Sequence, residues 1–322
     1  MTSSPVSLTP GPDSAAARSH RLGGWLDGIL GMLIFSASLP ATRLAVRDLD
    51  PVFVTVARAA FAGLLAVGLL SLRRSPWPPR RDLVGLLIVS GGVVLGFPLL
   101  TALALRHAMS SHATVFLGLL PLSTALFAVV RVGERPPLLF WVFALAGAGL
   151  TAGYALMRSA TAGGEALTSD MLMLAAILVC GLGYAEGGRL SRHLGGLEVI
   201  AWALILALPV MLPLVWLLRP HTLAGVGWPS LAGLAYVSVF SMLVGFIFWY
   251  RGLAHGGVAA VGQLQLIQPF FALVLAALLL GESVELNAVL ILVAVVACVA
   301  GARHFGVRPV PKPILHPQES LP

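Results

Sequence analysis

The chain has 322 residues, of which 58% are hydrophobic and only 10% are charged. A soluble domain carries about 25% charged residues, so the composition excludes a soluble fold and predicts a polytopic membrane protein. The net charge of +7 does not indicate nucleic-acid binding, because the arginines lie in short segments between apolar stretches, where they set topology. Lys312 is the one lysine among 20 basic residues, a bias of GC-rich bacteria, so we expect the bacterial inner membrane.

Ten apolar stretches are long enough to cross a bilayer, which needs roughly 20 residues. We therefore predict an all-α protein with ten transmembrane helices: residues 24–42, 52–72, 83–105, 112–131, 137–157, 170–189, 198–218, 230–250, 257–280 and 285–303. Residues 1–22 are expected to form a disordered tail before a retained first helix, since the first apolar run is long for a signal peptide. Residues 304–322 are expected to form a second disordered tail.

The sequence repeats itself at a spacing of 148 residues, which aligns Pro121 with Pro269 and His107 with His255. A fixed internal period decides architecture, and here it predicts two five-helix repeats, at residues 24–157 and 170–303. Because five is odd, the second repeat enters the membrane inverted relative to the first. Inverted repeats are typical of transporters, whose substrate site lies at the repeat interface, on interrupted helices. Pro121 and Pro269 are the predicted interruptions, about which we expect the halves to rock.

The basic residues also predict orientation. They are concentrated on the side that holds the amino terminus, where the pairs Arg73-Arg74 and Arg80-Arg81 lie. The other side has only Arg43, Arg47, Arg106, Arg158 and Arg219. Cytoplasmic loops carry the excess of Lys and Arg, so we expect both termini in the cytoplasm.

Three segments resemble EamA-type members of the drug/metabolite transporter superfamily: Ala104-Leu105-Arg106-His107-Ala108 with Pro121 and Gly133-Glu134; Gly252-Leu253-Ala254-His255 with Pro269 and Leu280-Gly281-Glu282-Ser283; and Ala57-Arg58-Ala59-Ala60-Phe61. The resemblance covers about residues 24 to 304. It implies a ten-helix carrier working by alternating access, with a central cavity lined by spans 1, 3, 4, 6, 8 and 9.

Members resembling this chain export amino acids, other metabolites or drugs. We therefore expect a secondary active transporter that exports a small metabolite, an amino acid or similar polar molecule, across the inner membrane. The expected partners are this small molecule and the lipid bilayer, with protons as a candidate coupling ion. The sequence does not indicate the oligomeric state.

Gln265 and Gln268 precede Pro269 at the predicted interruption, three residues apart and so on one helix face. Each amide offers two donors and an acceptor, which would suit a zwitterion or a nucleoside. Alternatively they bond the carbonyl that Pro269 leaves without an N–H partner, or a facing helix. The fourth span has Leu117 and Leu120 at the equivalent positions, so the site would be asymmetric although the fold is not.

Arg58 lies seven residues into the second predicted span, roughly 10 Å deep at 1.5 Å per residue. An intramembrane charge faces the protein interior or a wet cavity and is a functional candidate by default. It would attract a substrate carboxylate or phosphate. Alternatively it is structural, bonded to helix-end carbonyls or to Asp48 or Asp50.

Glu186 lies late in the sixth span and would bind a proton or a cation if buried. Alternatively it is an interfacial carboxylate paired with Arg189 or Arg192. Proton-coupled export of cationic drugs is therefore the second functional hypothesis. Against it, residues 29–38 contain no carboxylate, whereas the small multidrug exporters of the superfamily use a mid-helix glutamate in the first span.

Aromatic and repeat-related residues complete the candidates. Tyr184, Trp249 and Tyr250 would stack on a ligand or hydrogen-bond to it, or equally would be interfacial anchors, which is the role favoured for Trp249. The repeat mates Glu134 and Glu282, and likewise His107 and His255, fall on opposite membrane faces. They are therefore interpreted as structural, with the glutamates capping helices.

An enzyme and a channel are the remaining alternatives. The eight histidines form no zinc-binding spacing, and no nucleophile elbow or phosphate loop is present. We therefore expect no enzymatic activity, no metal and no cofactor. Rings of like charge or a carbonyl filter, which would indicate a channel, are also absent from the sequence.

Overall fold

A computed structural model describes residues 12–132, 138–162, 164–220, 222, 225–256 and 261–306. These residues are helical apart from short connections, and they contain no β-strand. The predicted glycine–glutamate segment at residues 133 and 134 lies outside them. So do most of the predicted terminal tails, residues 1–11 and 307–322.

The described residues of the first half form eight α-helices and one π-helical segment, named here in chain order. They are α1 (Pro12–Ser36), α2 (Ser38–Asp48), α3 (Pro51–Arg73), α4 (Arg80–Val89), the segment π1 (Ser90–Gly96), α5 (Phe97–His107), α6 (Ser110–Leu117), α7 (Leu120–Val132) and α8 (Leu138–Ala162).

The described residues of the second half form a similar series of elements. It contains α9 (Gly164–Leu194), α10 (Gly196–Leu218), α11 (Trp228–Tyr236), the segment π2 (Val237–Val244), α12 (Gly245–Gly256), a 3₁₀ turn (Gly262–Leu266), α13 (Gln268–Leu280) and α14 (Leu286–Gly306). The two π-helical segments fall at equivalent repeat positions, so the repeat extends to irregular backbone as well as to sequence.

Helix packing follows the same symmetry. Helix α1 packs on α12, and its repeat mate α9 packs on α5, the mate of α12. Helix α9 also packs on α7, just as α1 packs on α13. The helices α3 and α10, and α8 and α14, pair with their own repeat mates. The two halves are therefore one duplicated arrangement packed around a shared centre.

Six described helical stretches are long and apolar enough to cross a membrane: Gly23–Asp48, Pro51–Arg73, Arg80–His107, Leu167–Leu194, Gly196–Leu218 and Trp228–His255. Shorter apolar stretches coincide with the remaining predicted spans: His112–Phe127, Trp141–Thr151, Leu264–Leu280 and Leu286–Cys298. The predicted all-α membrane architecture is therefore confirmed in its coarse form.

Both prolines of the repeat lie where a helix is interrupted. Pro121 is in the first turn of α7, after the turn residues Gly118 and Leu119 that end α6. Pro269 is in the first turn of α13, after the 3₁₀ turn. Proline suits a first turn, where its missing N–H would have no helical partner. Each interrupted span thus consists of two segments joined by 3₁₀-type bonds, such as Ile267 N–H to Leu264 O at 3.1 Å.

The structure differs from the predicted boundaries at both ends. The described part of α1 starts at Pro12, so residues 12–22 are helical although the sequence predicted a disordered tail; the run Ala15–Ala17 favours a helix there. Helix α14 likewise continues three residues beyond 303. The first span also has a break at Ala37 that the apolar pattern did not indicate, three residues before Pro40.

Candidate functional site

A central cavity lies where the two halves meet. Its lining comes from spans 1, 3, 4, 6, 8 and 9, as the resemblance implied, with Arg58 added from the second span. The lining residues are Phe35, Ser38, Leu39, Arg58, Val93, Phe97, Leu117, Leu120, Tyr184, Ser241, Phe246 and Gln268. Two repeat-related pairs are among them, Leu120 with Gln268 and Val93 with Ser241. The cavity therefore lies on the pseudo-symmetry axis of the duplicated fold.

The cavity is narrow in this conformation. The space between its lining side chains is about 390 Å³, of which only about 20 Å³ would admit the centre of a water molecule. A volume of about 20 Å³ for water centres holds about one water molecule. Small-molecule pockets, in contrast, typically have volumes of 300–1,000 Å³. A ligand the size of an amino acid would therefore enter only after the walls of the cavity moved apart.

Arg58 carries the positive charge in the cavity wall. Its residue is 4% exposed, and its Nη2 atom donates to the hydroxyl of Ser241 at 3.3 Å. Its Nε atom is buried without a hydrogen-bond partner. The proposed structural partners are engaged elsewhere: Asp48 accepts from Ser230 at 2.7 Å, and Asp50 caps α3. The structural interpretation through these two aspartates is therefore wrong.

Burial of a guanidinium without a carboxylate is costly, because a buried charge requires a partner. No ion pair joins Arg58 to any residue within the described ranges. The cavity wall thus contains one cation, the guanidinium of Arg58, which has N–H groups left to donate to a ligand.

Two serines complete the polar side of the cavity, and sequence reasoning missed both. Ser38 and Ser241 lie with their hydroxyl oxygens 2.7 Å apart. They come from α2 and π2, one from each half, and Ser241 also accepts from Arg58. Serines are common in membrane helices, so only their place beside an intramembrane arginine would have singled them out.

Of the two glutamines, only Gln268 lines the cavity. Gln268 is 5% exposed and lines the cavity, and its backbone carbonyl accepts from the Ser36 hydroxyl at 3.3 Å. Gln265 is 2% exposed in the 3₁₀ turn and is not part of the cavity lining, and its Oε1 atom is buried without a partner. Leu117 and Leu120, their repeat mates, both line the cavity.

An aromatic cluster packs against one side of the cavity. Phe35 and Phe246, with ring centroids 4.8 Å apart, are in the cavity wall together with Tyr184. Trp249 lies behind them, 6.1 Å from Phe35 between centroids, and is 1% exposed. Its predicted role as an interfacial anchor is therefore wrong, because the indole is in the protein core.

Tyr250 is fully buried beside this cluster and does not line the cavity. Its hydroxyl donates to the carbonyl of Gly183 at 3.4 Å. Its ring packs on Gly187, where a Cβ atom would lie 2.3 Å from the ring. Tyr250 therefore joins α12 to α9 at a close helix approach.

Glu186 is fully buried and lies outside the cavity. Its Oε1 atom is 2.6 Å from Arg189 Nη2, and Arg189 has a side chain 43% exposed. This is the pairing that the sequence offered as the alternative to a proton site. Glu282, interpreted as a helix cap, accepts from the N–H of Ser110 at 3.0 Å and so caps α6 of the first repeat.

The described residues contain no group of three or more His, Cys, Asp or Glu that could hold a metal ion. The cavity also lacks any nucleophile–base pair. The side chains that line the cavity are suited to binding a ligand, because they provide a cation, two hydroxyls, an amide and several aromatic faces.

Comparisons with known proteins agree with this arrangement. The EamA-like transporter family matches residues 23–154 and 167–302, once in each half. A Bacillus subtilis (strain 168) protein named "Uncharacterized transporter YdeK" is 60% identical over 282 residues, covering 88% of this chain and 97% of its own. A solved crystal structure covers 88% of this chain and 97% of its own with a TM-score of 0.59; at 20% identity it shows the fold alone.

Two more distant relatives have names that specify a cargo. A protein of Streptantibioticus cattleyicolor named "Probable terminal-alkyne amino-acid exporter" is 28% identical, over 79% of this chain and 84% of its own. A Chlamydia muridarum (strain MoPn / Nigg) protein named "S-adenosylmethionine/S-adenosylhomocysteine transporter" is 26% identical, over 79% of this chain and 83% of its own. With both halves matched, this chain belongs to the EamA-like transporter family of the drug/metabolite transporter superfamily and is a multi-pass membrane transporter.

Proposed function

We propose that this protein is a secondary active transporter that exports a small carboxylate-bearing metabolite, an amino acid or a close derivative, across the bacterial inner membrane. Ten spans form two repeats of inverted topology, with both termini in the cytoplasm. The odd number of spans per repeat and the distribution of arginines support this orientation. The four shorter apolar helices complete the ten.

The observation that carries the proposal is the buried guanidinium of Arg58 in the cavity wall. It has no anionic partner among the described residues, and a single neutral hydroxyl, that of Ser241, accepts from it. Arginine binds carboxylates through two parallel N–H···O bonds. A substrate carboxylate would supply the missing charge and occupy the free donors.

The rest of the cavity suits the other parts of an amino acid. The side-chain carbonyl of Gln268 and the hydroxyl of Ser38 are acceptors for an α-ammonium group. The rings of Phe35, Phe97 and Phe246 would contact an apolar side chain. Two relatives whose names mention an amino acid or S-adenosylmethionine, itself an amino-acid derivative, support the same class.

Transport would proceed by rocking of the two halves about the interrupted spans. Each of these spans is divided at Pro121 or Pro269, so its two segments would tilt independently without breaking a continuous helical hydrogen-bond ladder. The narrow cavity would widen as the halves move apart. Substrate binding would be followed by opening at one end and then the other.

The second hypothesis, proton-coupled export of cationic drugs, has less support. A cationic drug would need a carboxylate in the cavity, and the lining residues include none. Arg58 would repel it instead. Glu186, the carboxylate that suggested this hypothesis, is paired with Arg189.

Counterflow tests the proposal. Purified protein is placed in liposomes loaded with unlabelled L-amino acids, and uptake of an external ¹⁴C-labelled mixture of the same amino acids is followed. A carrier exchanges label for internal substrate, so transient accumulation is expected that stops when the internal pool is omitted. Uptake that ignores the internal pool would indicate a channel, and no uptake would remove the assigned substrate class.

The two glutamines give a matched pair of variants. Gln268→Leu is expected to weaken binding about tenfold, because one hydrogen bond to a charged group is worth about 1.4 kcal/mol or more. Gln265→Leu is expected to leave the affinity unchanged, since Gln265 does not line the cavity. The measurement is the half-saturating concentration for counterflow. Equal losses in both variants would contradict the assignment of the site to Gln268 alone.

A further inference from the structure

A second, more open polar site lies beyond the central cavity. Its walls are the end of α2, the link from α2 to α3 and the end of α5, and its charged lining residues are Arg43, Arg47, Asp48, Asp50 and Arg106. About 490 Å³ of this site would admit the centre of a water molecule, against about 20 Å³ in the central cavity. This site, named here the arginine groove, is therefore wide enough for an amino acid without any movement of its walls.

The arginine groove and the central cavity share three walls. Leu39 on α2 lines the cavity, and Arg43, one turn further along the same helix face, lines the groove. At 1.5 Å per residue this step is about 6 Å. On α3, Arg58 in the cavity wall is about 12 Å along the helix from Asp50 in the groove. Helix α5 lines both sites as well, so the groove continues the cavity toward one face of the protein.

The arginines of the groove run against the rule that sets membrane topology. In the proposed orientation the groove faces the outside, where arginine is depleted, yet three of the five arginines on that side line it: Arg43, Arg47 and Arg106. Their repeat mates belong to the cytoplasmic side, where arginine is favoured, and are all uncharged: Ser191, Gly195 and Ala254. Neither topology nor the duplicated fold therefore accounts for these three cations.

The two carboxylates of the groove are engaged in holding helices together. Asp48 Oδ2 accepts from the hydroxyl of Ser230 at 2.7 Å and from the N–H of Gly227 at 2.9 Å, which ties α2 to α11. Asp50 Oδ1 accepts from two backbone N–H groups at the start of α3, and Asp50 Oδ2 is 3.8 Å from Arg106 Nη1. Both aspartates thus have structural roles that explain their presence.

The arginines keep N–H groups for a ligand. Arg43 uses its Nη1 atom to donate to the backbone carbonyls of Leu105 and Arg106 at the end of α5. Arg47 forms no hydrogen bond or ion pair with any residue in the described ranges. Glu282, a further carboxylate near Arg43, caps α6. Guanidinium groups with free donors bind carboxylates and phosphates, so the groove is suited to an oxyanion.

A carboxylate that leaves Arg58 loses its charge partner before bulk water surrounds it. A cleft lined by charges of one sign raises the local concentration of the opposite charge, and the arginine groove would do this for the departing carboxylate. Because the groove is open to water, its charges are screened and its hold is weak, so the substrate would then diffuse away. The groove walls are the helices that surround the cavity, which favours substrate over the phosphate of a lipid headgroup.

We propose that the arginine groove is an exit site for the carboxylate of the substrate, which passes to it from Arg58 when the cavity opens outward. This inference rests on the proposed function and adds the path of release. Transport in the two directions passes through the same states, so the groove also serves entry from outside. Uptake of external label therefore reports on it.

The test uses Arg47→Cys in phosphatidylcholine liposomes and counterflow of the ¹⁴C-labelled L-amino acid mixture at varied external concentration. Two methanethiosulfonate reagents that do not cross bilayers add either a trimethylammonium or a sulfonate group to the new thiol, in molecules whose outer face meets the bath. The half-saturating concentration is expected to rise about fivefold in the unmodified variant, as for the loss of one close charge in water. The trimethylammonium group is expected to lower it toward the wild-type value, and the sulfonate to raise it further.

Arg219→Cys is the matched control. In the proposed orientation Arg219 is on the same side of the membrane, but it stacks on Trp216 and does not line the groove. Its half-saturating concentration is expected to be that of the wild type with either reagent. The wild type receives both reagents as well, since it has the buried Cys180 and the half-buried Cys298. Equal values for Arg47→Cys with the two reagents, which act on one folded protein, would overturn the proposal.

Liposomes with added phosphatidylglycerol distinguish the two oxyanions. Dependence on the charge at residue 47 is expected in phosphatidylcholine alone, which has no anionic lipid. Dependence that appears only with phosphatidylglycerol would assign the groove to a lipid phosphate and overturn the exit site. Wild-type counterflow without any such dependence would overturn the exit site and leave the proposed function intact. No wild-type counterflow would overturn the proposed function itself, and the exit site with it.

Discussion

Replacing Arg58 by glutamine is expected to abolish binding of amino acids while the protein still folds. Removal of one partner from a buried charge pair costs about 2–5 kcal/mol of binding free energy, so affinity should fall at least about thirtyfold. The free protein should not lose stability, because Arg58 is buried with one neutral partner and an unbonded Nε atom. The measurements are counterflow and the melting temperature of the detergent-purified variant.

Arg58→Lys is the matched control for charge. It retains a cation but loses the planar fork that binds a carboxylate through two bonds, so partial transport with reduced affinity is expected. If instead Arg58→Gln folds poorly and accumulates little protein, the arginine is structural. Full transport in a well-folded Arg58→Gln variant would remove Arg58 from the substrate site.

Gly252→Leu is expected to prevent assembly of the protein. A Cβ atom at Gly252 would lie 2.7 Å from the backbone nitrogen of Gly28 and 2.9 Å from its Cα atom. These are backbone atoms of α1, so no side chain is able to move aside. Overpacking costs about 1–3 kcal/mol where neighbours relax, and here about 3 kcal/mol or more is expected. The readout is the yield of monodisperse protein in detergent.

Gly68→Leu provides the control for this prediction. Gly68 lies within α3, and a Cβ atom there meets nothing within 4 Å. The added side chain would face lipid and should leave the yield unchanged. A second close contact predicts the same contrast, because a Cβ atom at Gly92 in π1 would lie 2.6 Å from the carbonyl oxygen of Val179 on α9. A normal yield from Gly252→Leu would contradict the close packing of α1 on α12.

The sequence predicts those features of the fold that the bilayer and the internal repeat determine. A bilayer makes each span apolar, and duplication places Pro121 and Pro269 at equivalent positions, so the interrupted helices were predictable. The charge of Arg58 inside a span was equally visible, since few charges are tolerated there. The structure places this arginine in the cavity wall, together with Gln268 and Tyr184 from the predicted candidates.

Other features depend on which helix faces which, and one sequence does not contain that information. Every span is apolar on all sides, so no amphipathic stripe distinguishes the buried face from the lipid face. Trp249 near a helix end therefore resembled an interfacial residue, although it lies in the core. Ser38 and Ser241, 203 positions apart, became a site only when folding brought them together. The contact of His112 Nε2 with Asp170 Oδ1, at 2.5 Å, was hidden for the same reason.

The central claim is that the cavity binds a carboxylate-bearing metabolite, and ligand-dependent thermal stabilisation tests it most directly. Purified wild-type protein would be screened with amino acids, the corresponding amines that lack the carboxylate, nucleosides, sugar phosphates and lipophilic cations. A ligand at a hundred times its dissociation constant stabilises by about 2.7 kcal/mol. Stabilisation by one or more amino acids but not by their amines is the predicted result. Stabilisation by lipophilic cations alone would contradict the account.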